Sequence, residues 1–266
     1  MIVLYKKFHT AYWCIGIVLV TCMAIAMFML WDLGWYYLFL IIFLTLLLVL
    51  VNGFIFTKLS AKKFTNEVTT LYNECQANRY LEALKSLFEK QTKGSVVSLY
   101  NTLLAKGYGV IDDYDAVYEC CRNIKSQAYR AERSKSMIDY YLSKDQLDLA
   151  QNEVEELKKL TVKMKNHKYK ETCENFIRNS EYAIKIKQGY YEGAEEFFKE
   201  MLATARPLYT LTKVSYSYAL GKLLILKGEP ERAMDYLQAA YESGGDTKYK
   251  KFAEEQIQAA DFVNLK

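Results

Sequence analysis

The stretch GKLLILKGEPERAMDYLQAA runs from Gly221 to Ala240. It contains two amphipathic helical segments separated by a short turn. Gly228 can end the first helix in a left-handed conformation, and Pro230 suits the first turn of the next helix, where its missing N–H costs little. Small residues, among them Gly221 and Ala233, lie where the two helices would cross. The stretch therefore predicts an antiparallel helix pair whose backbones approach closely.

Similar stretches recur upstream. Alanines that follow turn signals are spaced 33, 34, 44 and 39 residues apart, at Ala83, Ala116, Ala150, Ala194 and Ala233. Together with the Leu-Gly pair at 220–221, and with Leu237 and Ala240, they resemble the tetratricopeptide repeat (TPR), whose period is about 34 residues. The resemblance covers roughly residues 61–245. It implies an α-solenoid of stacked antiparallel helix pairs.

Beyond Lys58 the helical periodicity is broken only by short turn signals, and no alternating strand pattern appears. Segments of ~10–20 residues predict an all-α region of about eleven helices. The last segment, 247–263, is expected to be a capping helix with a polar outer face. We expect Gly107–Val110 to form a loop after a helix, not a phosphate-binding turn, because no strand precedes it.

Two apolar runs precede this region, at about residues 11–30 and 36–56, and neither contains a charged residue. At ~1.5 Å per residue each is long enough to cross the hydrocarbon layer as a helix. Gly34 permits a tight turn between them. A cleaved signal peptide is the alternative, but the first run is too long and a second span follows. The sequence therefore predicts a transmembrane hairpin over 1–60 and a helical repeat domain over 61–266.

Charges flanking the two runs predict the orientation of the hairpin. Lys6 and Lys7 precede the first run, and lysines follow the second at 58, 62 and 63. The loop carries Asp32 and no Lys or Arg. The positive-inside rule then places both termini and the helical domain in the cytoplasm. The Lys- and Tyr-rich, Pro-poor composition is compatible with a bacterial plasma membrane, and a eukaryotic organelle is the alternative.

Residues typical of catalysis or metal binding are sparse. The two histidines, His9 and His167, are far apart, and the six cysteines form no Cys-x-x-Cys motif. Cys120 and Cys121 do not face each other on a helix, so a packed, unreactive thiol is the expected role of Cys120. A net charge of +4 without a basic cluster argues against nucleic acid. We expect no enzyme activity, cofactor or metal.

The TPR resemblance implies that the first helix of each pair lines a concave groove that receives a protein or peptide ligand. Fifteen residues before the last four anchor alanines lie Asn101, Lys135, Asn179 and Tyr218, and four residues further on lie Ala105, Asp139, Ala183 and Lys222. The candidate partner-binding residues are Asn101, Lys135, Asn179, Tyr218 and Lys222. Some members of the family clamp a terminal carboxylate with such amide and basic residues, but Asp139 departs from that pattern. A solvated polar face is the simpler alternative.

These features predict an integral membrane protein in the lipid bilayer that acts as a scaffold or adaptor and recruits a protein or peptide partner to the cytoplasmic membrane face. Two alternatives remain open. One is a peptide-sensing regulatory receptor. The other is an accessory subunit of a membrane enzyme or transporter, which would contact an integral membrane partner through the spans.

Overall fold

The computed structural model describes residues 6–29, 35–88, 94–205 and 210–264. Within these ranges the chain forms α-helices and one 3-10 turn at Gln127–Tyr129, with no strand, so the predicted all-α class is confirmed. The loop predicted to contain Asp32 and Gly34 lies outside the described residues. The helices are α1 (Lys6–Met29), α2 (Trp35–Glu74), α3 (Ala77–Phe88), α4 (Ser95–Val110), α5 (Tyr114–Asn123), α6 (Arg130–Ser143), α7 (Leu147–Val162), α8 (His167–Lys187), α9 (Ala194–Thr204), α10 (Thr210–Leu226), α11 (Pro230–Ser243) and α12 (Lys248–Asn264).

The chain divides into two compact units, Met1–Glu67 and Val68–Lys266. Helix α2 continues through the predicted boundary at residue 60 and supplies the first helical turns of the second unit. Thr70 and Leu71, in those turns, are buried. The second apolar helix is therefore longer than the apolar run that predicted it.

The first unit contains two helices that are long and apolar enough to cross a membrane. The stretches Thr10–Phe28 and Phe39–Glu74 reach mean hydropathies of 2.2 and 2.8. Their large apolar side chains are mostly exposed, for example Phe28 (86%) and Leu50 (71%). Within this unit Asn52 is buried, and its amide nitrogen lies 3.5 Å from the carbonyl oxygen of Tyr12. Asn52, a polar residue of the second run, thus contacts α1.

In the second unit the most extensive contacts join helices that follow one another in the chain, such as α6 with α7 and α10 with α11. Alternate helices also touch, because α4 contacts α6, α6 contacts α8, and α10 contacts α12. Between α6, α7 and α8 the core is aliphatic, with Ile138, Val154 and Leu157 fully buried. Burial of such side chains stabilises each helix against its neighbours by roughly 1.5–3 kcal/mol per residue.

The helix pair predicted at Gly221–Ala240 is present. Gly228 has a φ of 78°, and α11 begins at Pro230. A Cβ atom at Gly221 would lie 2.7 Å from Cγ of Leu237, so only glycine permits this approach of α10 to α11. Ala233 is fully buried at the same crossing.

The anchor alanines differ in their burial. Ala150 and Ala194 are fully buried, like Ala233, whereas Ala83 and Ala116 are only half-buried. In α5 the buried position is Val117, one residue further on. The alanine pattern therefore marks the packed positions in the later helices and loses its register in α3 and α5.

The prediction of a loop at Gly107–Val110 is wrong. Helix α4 continues to Val110, and the turn follows it. The glycine at 107 serves packing: a Cβ atom there would lie 2.6 Å from the Leu81 side chain on α3. The next helix, α5, then starts at an N-cap in which the Asp113 side chain accepts the backbone N–H of Ala116 at 3.0 Å.

The two ends of the second unit meet. The Asp246 carboxylate, between α11 and α12, accepts the backbone N–H groups of Ala77 and Asn78 at 2.5 and 2.9 Å. The backbone N–H of Asp246 donates to the carbonyl oxygen of Cys75 at 3.1 Å. Gly245 has a φ of 57° and lies directly against this carbonyl group, where a side chain would clash. These contacts close the series of helices on itself.

The packing at the buried crossing of α10 and α11 can be tested by substitution. Ala233→Leu should overpack the contact between α10 and α11 and lower the free energy of unfolding by ~1–3 kcal/mol. Ala239→Leu, at an exposed position of the same helix, should change it by less than about 0.5 kcal/mol. Urea denaturation of the full chain in mild detergent, followed by circular dichroism, measures both. Equal effects would contradict the described register of α11.

Candidate functional site

A groove of ≈ 670 Å³ lies among α6, α8, α10 and the start of α12; we call it the inner groove. Its volume falls within the ~300–1,000 Å³ that is usual for ligand sites. Asp139 contributes from α6, Asn179 from α8, Tyr218 from α10 and Phe252 from α12. Helices that are distant in the chain therefore share one concave surface.

Three of the five candidate residues line this groove: Asn179, Tyr218 and Lys222. The neighbouring positions of the predicted stripe, Asp139 and Ala183, line it as well. Helical spacing thus brings these side chains together as expected. Whether they bind a partner stays a prediction.

The other two candidates, Asn101 and Lys135, do not line the groove. Each is 9% exposed. The Asn101 amide donates to the Val97 carbonyl oxygen of its own helix at 2.8 Å. Because little of either side chain is accessible, we leave both out of the candidate binding surface.

Lys135 belongs to a buried ionic cluster around Glu132. Lys106 and Lys135 place their Nζ atoms 2.8 and 3.0 Å from the two Glu132 carboxylate oxygens. The Tyr169 hydroxyl donates to the same carboxylate at 2.7 Å. Burial alone would raise the pKa of Glu132, but the two ammonium groups lower it to about 2. The cluster ties α4, α6 and α8 together below the groove and explains why Lys135 is not free to bind a partner.

Aromatic side chains dominate the apolar part of the groove. The Tyr218 ring lies 5.9 Å from the rings of both Tyr249 and Phe252, measured between centroids. Burial raises the pKa of Tyr218 to about 12, so its hydroxyl is a neutral donor at physiological pH. Such rings offer flat, rigid surfaces to an apolar side chain at low entropic cost. The aromatic lining residues are Tyr114, Phe176, Phe198, Tyr216, Tyr218, Tyr249 and Phe252.

Asp139 is the groove's most perturbed carboxyl group. It is exposed within the groove, but the surrounding walls displace water, and this desolvation raises its pKa to about 6. Lys248 and Lys135 act in the opposite direction but do not outweigh it. At neutral pH the groove therefore holds a carboxylate whose charge is poorly solvated.

Two lysines in the groove have lowered pKa values. Burial is the largest cause for Lys222, followed by repulsion from Lys187. Burial also lowers the pKa of Lys248, whose ammonium group donates to the Tyr114 hydroxyl at 2.5 Å and lies 4.7 Å from the centre of that ring. Both ammonium groups would be stabilised by an anion in the groove.

Sequence reasoning missed the contribution of α12, which we expected to be only a capping helix. Lys248, Tyr249 and Phe252 all line the groove. Phe252 lies three residues after Tyr249 and four after Lys248, so both of these residues share a helix face with Phe252. This pattern of basic and aromatic residues could have identified the groove residues of α12, but only if it were known that α12 returns to the beginning of the unit.

The adjacent residues Cys120 and Cys121 do not line the inner groove. Burial raises the pKa of Cys120 to about 11 and that of Cys121 to about 12, so both are protonated at neutral pH. A thiol in this state is a poor nucleophile. The inner groove, by contrast, supplies hydrogen-bonding groups, aromatic faces and charges of both signs, which are the elements of peptide recognition.

The raised pKa of Asp139 predicts a pH-dependent stability. An unfolded aspartate titrates near ~3.9, so between about pH 4 and pH 6 the folded chain holds more protons than the unfolded chain. The contribution of Asp139 to stability therefore falls as pH rises through this window. Relative to the wild type, Asp139→Asn should gain stability from pH 4 to pH 6, with no further gain above about pH 7.

Urea denaturation of both proteins at intervals from pH 4 to pH 7 tests this. Subtracting the free energy of unfolding of one protein from that of the other removes the contribution of the other titrating groups. Asp235→Asn, at an exposed position of α11, controls for the loss of one carboxylate. A difference that stays constant with pH, or that favours the wild type as pH rises, would contradict the raised pKa.

Comparisons with protein-family models, with curated proteins and with solved structures found no match to this chain. The functional assignment rests on the apolar helices and the geometry of the inner groove.

Proposed function

We propose that the chain is a membrane-anchored scaffold whose TPR-like helical array recruits a protein or peptide partner to the cytoplasmic face of the membrane. The inner groove is the observation that carries this proposal. It combines a usual ligand-site volume with aromatic walls and a few polar groups, including Asn179 and Lys222.

The anchor is supported by the exposure of α1 and of the apolar part of α2. No residue of the most apolar window of Thr10–Phe28 is buried, and only 11% of the window in Phe39–Glu74 is. Helices of this length with apolar surfaces on all sides are typical of membrane spans. The basic flanks then favour a cytoplasmic location for both termini and the helical unit.

The repeat arrangement is supported by the helix contacts. In stacked helix pairs, each helix packs on its partner and the first helices of successive pairs touch one another. Here α6 contacts α7, and the alternate helices α4, α6 and α8 also touch in turn. The groove is lined chiefly by α6, α8 and α10, which are first helices under this assignment. This is the face on which TPR-like arrays present a ligand surface.

The Asn179 amide suits a peptide ligand for a chemical reason. It carries two donor hydrogens and an acceptor oxygen, so it can pair with both the C=O and the N–H of a peptide backbone. The Ser143 and Ser215 hydroxyls, which also line the groove, donate to the Tyr140 and Thr212 carbonyl oxygens of their own helices and can still accept a hydrogen bond from a ligand. Backbone N–H and C=O groups of a bound peptide would therefore find hydrogen-bond partners in the groove, whatever the peptide's side chains.

Site-specific photo-crosslinking in native membranes tests the proposal. A photoreactive residue at Ala219, which lines the groove, should capture a partner. Tyr218→Ala should reduce this capture at least about tenfold, because aromatic anchors at interfaces commonly contribute ~2 kcal/mol or more. Asn179→Ala should reduce capture as well. Melting temperatures of the variants, measured in detergent, separate lost binding from lost folding.

The matched control is Tyr190→Ala, which truncates a 67% exposed tyrosine that does not line the groove. It should leave capture unchanged. A photoreactive residue at Val162, which is 78% exposed, should capture nothing specific. Capture only from Phe28, on the apolar helix α1, would overturn the scaffold proposal and favour an accessory subunit that binds through its spans.

A further inference from the structure

The charges of the inner groove are segregated. Asp139, on α6, and Asp112, in the turn after α4, both line it. Among the described residues, neither carboxylate has a salt-bridge partner within 4 Å. Lys248 is close enough for both to act on its pKa, yet its ammonium group is directed to the Tyr114 hydroxyl. With Lys248, this side of the groove carries two carboxylates and one ammonium group, so its net charge is negative.

The C-terminal ends of α8 and α10 carry the opposite charge. Lys187 and Lys222 both line the groove there, and they repel each other. Lys187 forms an ion pair with Asp145, but within the described ranges no carboxylate lies within 4 Å of Lys222. Asp145 also acts on the pKa of Lys222. Two ammonium groups near a single carboxylate leave this side of the groove with a net positive charge.

Apolar and aromatic side chains complete the lining. Phe176 and Ile186 contribute from α8, and Tyr216 from α10. A fully cationic or fully anionic ligand would meet one like-charged side, and such a juxtaposition is strongly unfavourable when it is desolvated. A neutral ligand would leave the groove charges desolvated and unpaired. The complementary ligand has one charge of each sign and an apolar portion.

We propose that the inner groove selects a peptide segment in which one acidic and one basic residue flank apolar residues. The acidic group lies toward Lys222 and Lys187, and the basic group lies toward Asp139 and Asp112. This inference rests on the proposed function, because it specifies the peptide that the scaffold would recruit. A volume of ≈ 670 Å³ limits the enclosed segment to a few residues.

The full chain in nanodiscs can be tested with five capped, fluorescein-labelled pentapeptides that share a Leu-Phe-Leu centre. Two of them end in one Lys and one Asp, in the two possible orders, and the other three end in two Lys, two Asp or two Ser. Fluorescence anisotropy at low ionic strength should show that at least one Lys/Asp peptide binds at least about tenfold more tightly than the three peptides with identical ends, as charge-complementary sites do. High salt should reduce this preference.

Charge reversal supplies the decisive comparison. Lys222→Glu should shift the preference to the peptide with two Lys, and Asp139→Lys should shift it to the peptide with two Asp. Lys213→Glu, on the exposed side of the same helix as Lys222, and Asp235→Lys should retain the wild-type order. Circular dichroism checks that each variant is folded.

Two outcomes would overturn the inference. Equal binding of all five peptides, lost in Tyr218→Ala, would mean that the groove binds peptides without charge selection, and the proposed function would stand. No binding of any pentapeptide would also refute the charge rule. The proposed function would then be judged separately by crosslinking from Ala219.

Discussion

The second unit depends on one polar contact between its two ends. The first N–H groups of a helix have no partner within that helix, and α3 satisfies two of them with the carboxylate of Asp246, 168 residues away from Asn78. The negative charge also suits the positive end of the helix dipole. Gly245 makes the contact possible because no side chain could occupy its place against the Cys75 carbonyl group. A helix cap that is usually local is here supplied by the far end of the chain.

This closure determines the composition of the inner groove. It brings the start of α12 to α5, so that Lys248 meets Tyr114, and it adds Tyr249 and Phe252 to a surface begun by Asp139. The residues that Asp246 precedes in the chain thus also line the inner groove, and the packing of α12 on α10 and α11 holds them there.

Much of this arrangement follows from local sequence pattern. The turn before Pro230, the close crossing at Gly221, and the shared surface of Asn179, Tyr218 and Lys222 all derive from helical spacing. Lys135 has the same spacing, but the Glu132 carboxylate forms ion pairs with both Lys135 and Lys106. Helical periodicity does not predict such an ion pair. The loop prediction at Gly107 was wrong because the sequence alone does not distinguish a glycine that permits close helix packing from one that forms a turn. Closure was not predictable, since nothing in the sequence near Asp246 specifies a partner so far away.

Hydrogen–deuterium exchange of the full chain in nanodiscs, compared between the wild type and Asp246→Ala, tests the closure most directly. Loss of a cap costs about 0.5–2 kcal/mol, which is enough to raise exchange in the elements that it joins. We predict faster exchange in both 77–88 and 248–259, with 147–162 unchanged and with Asp235→Ala like the wild type. Faster exchange confined to 248–259, or none at all, would contradict the claim that Asp246 holds the two ends of the unit together.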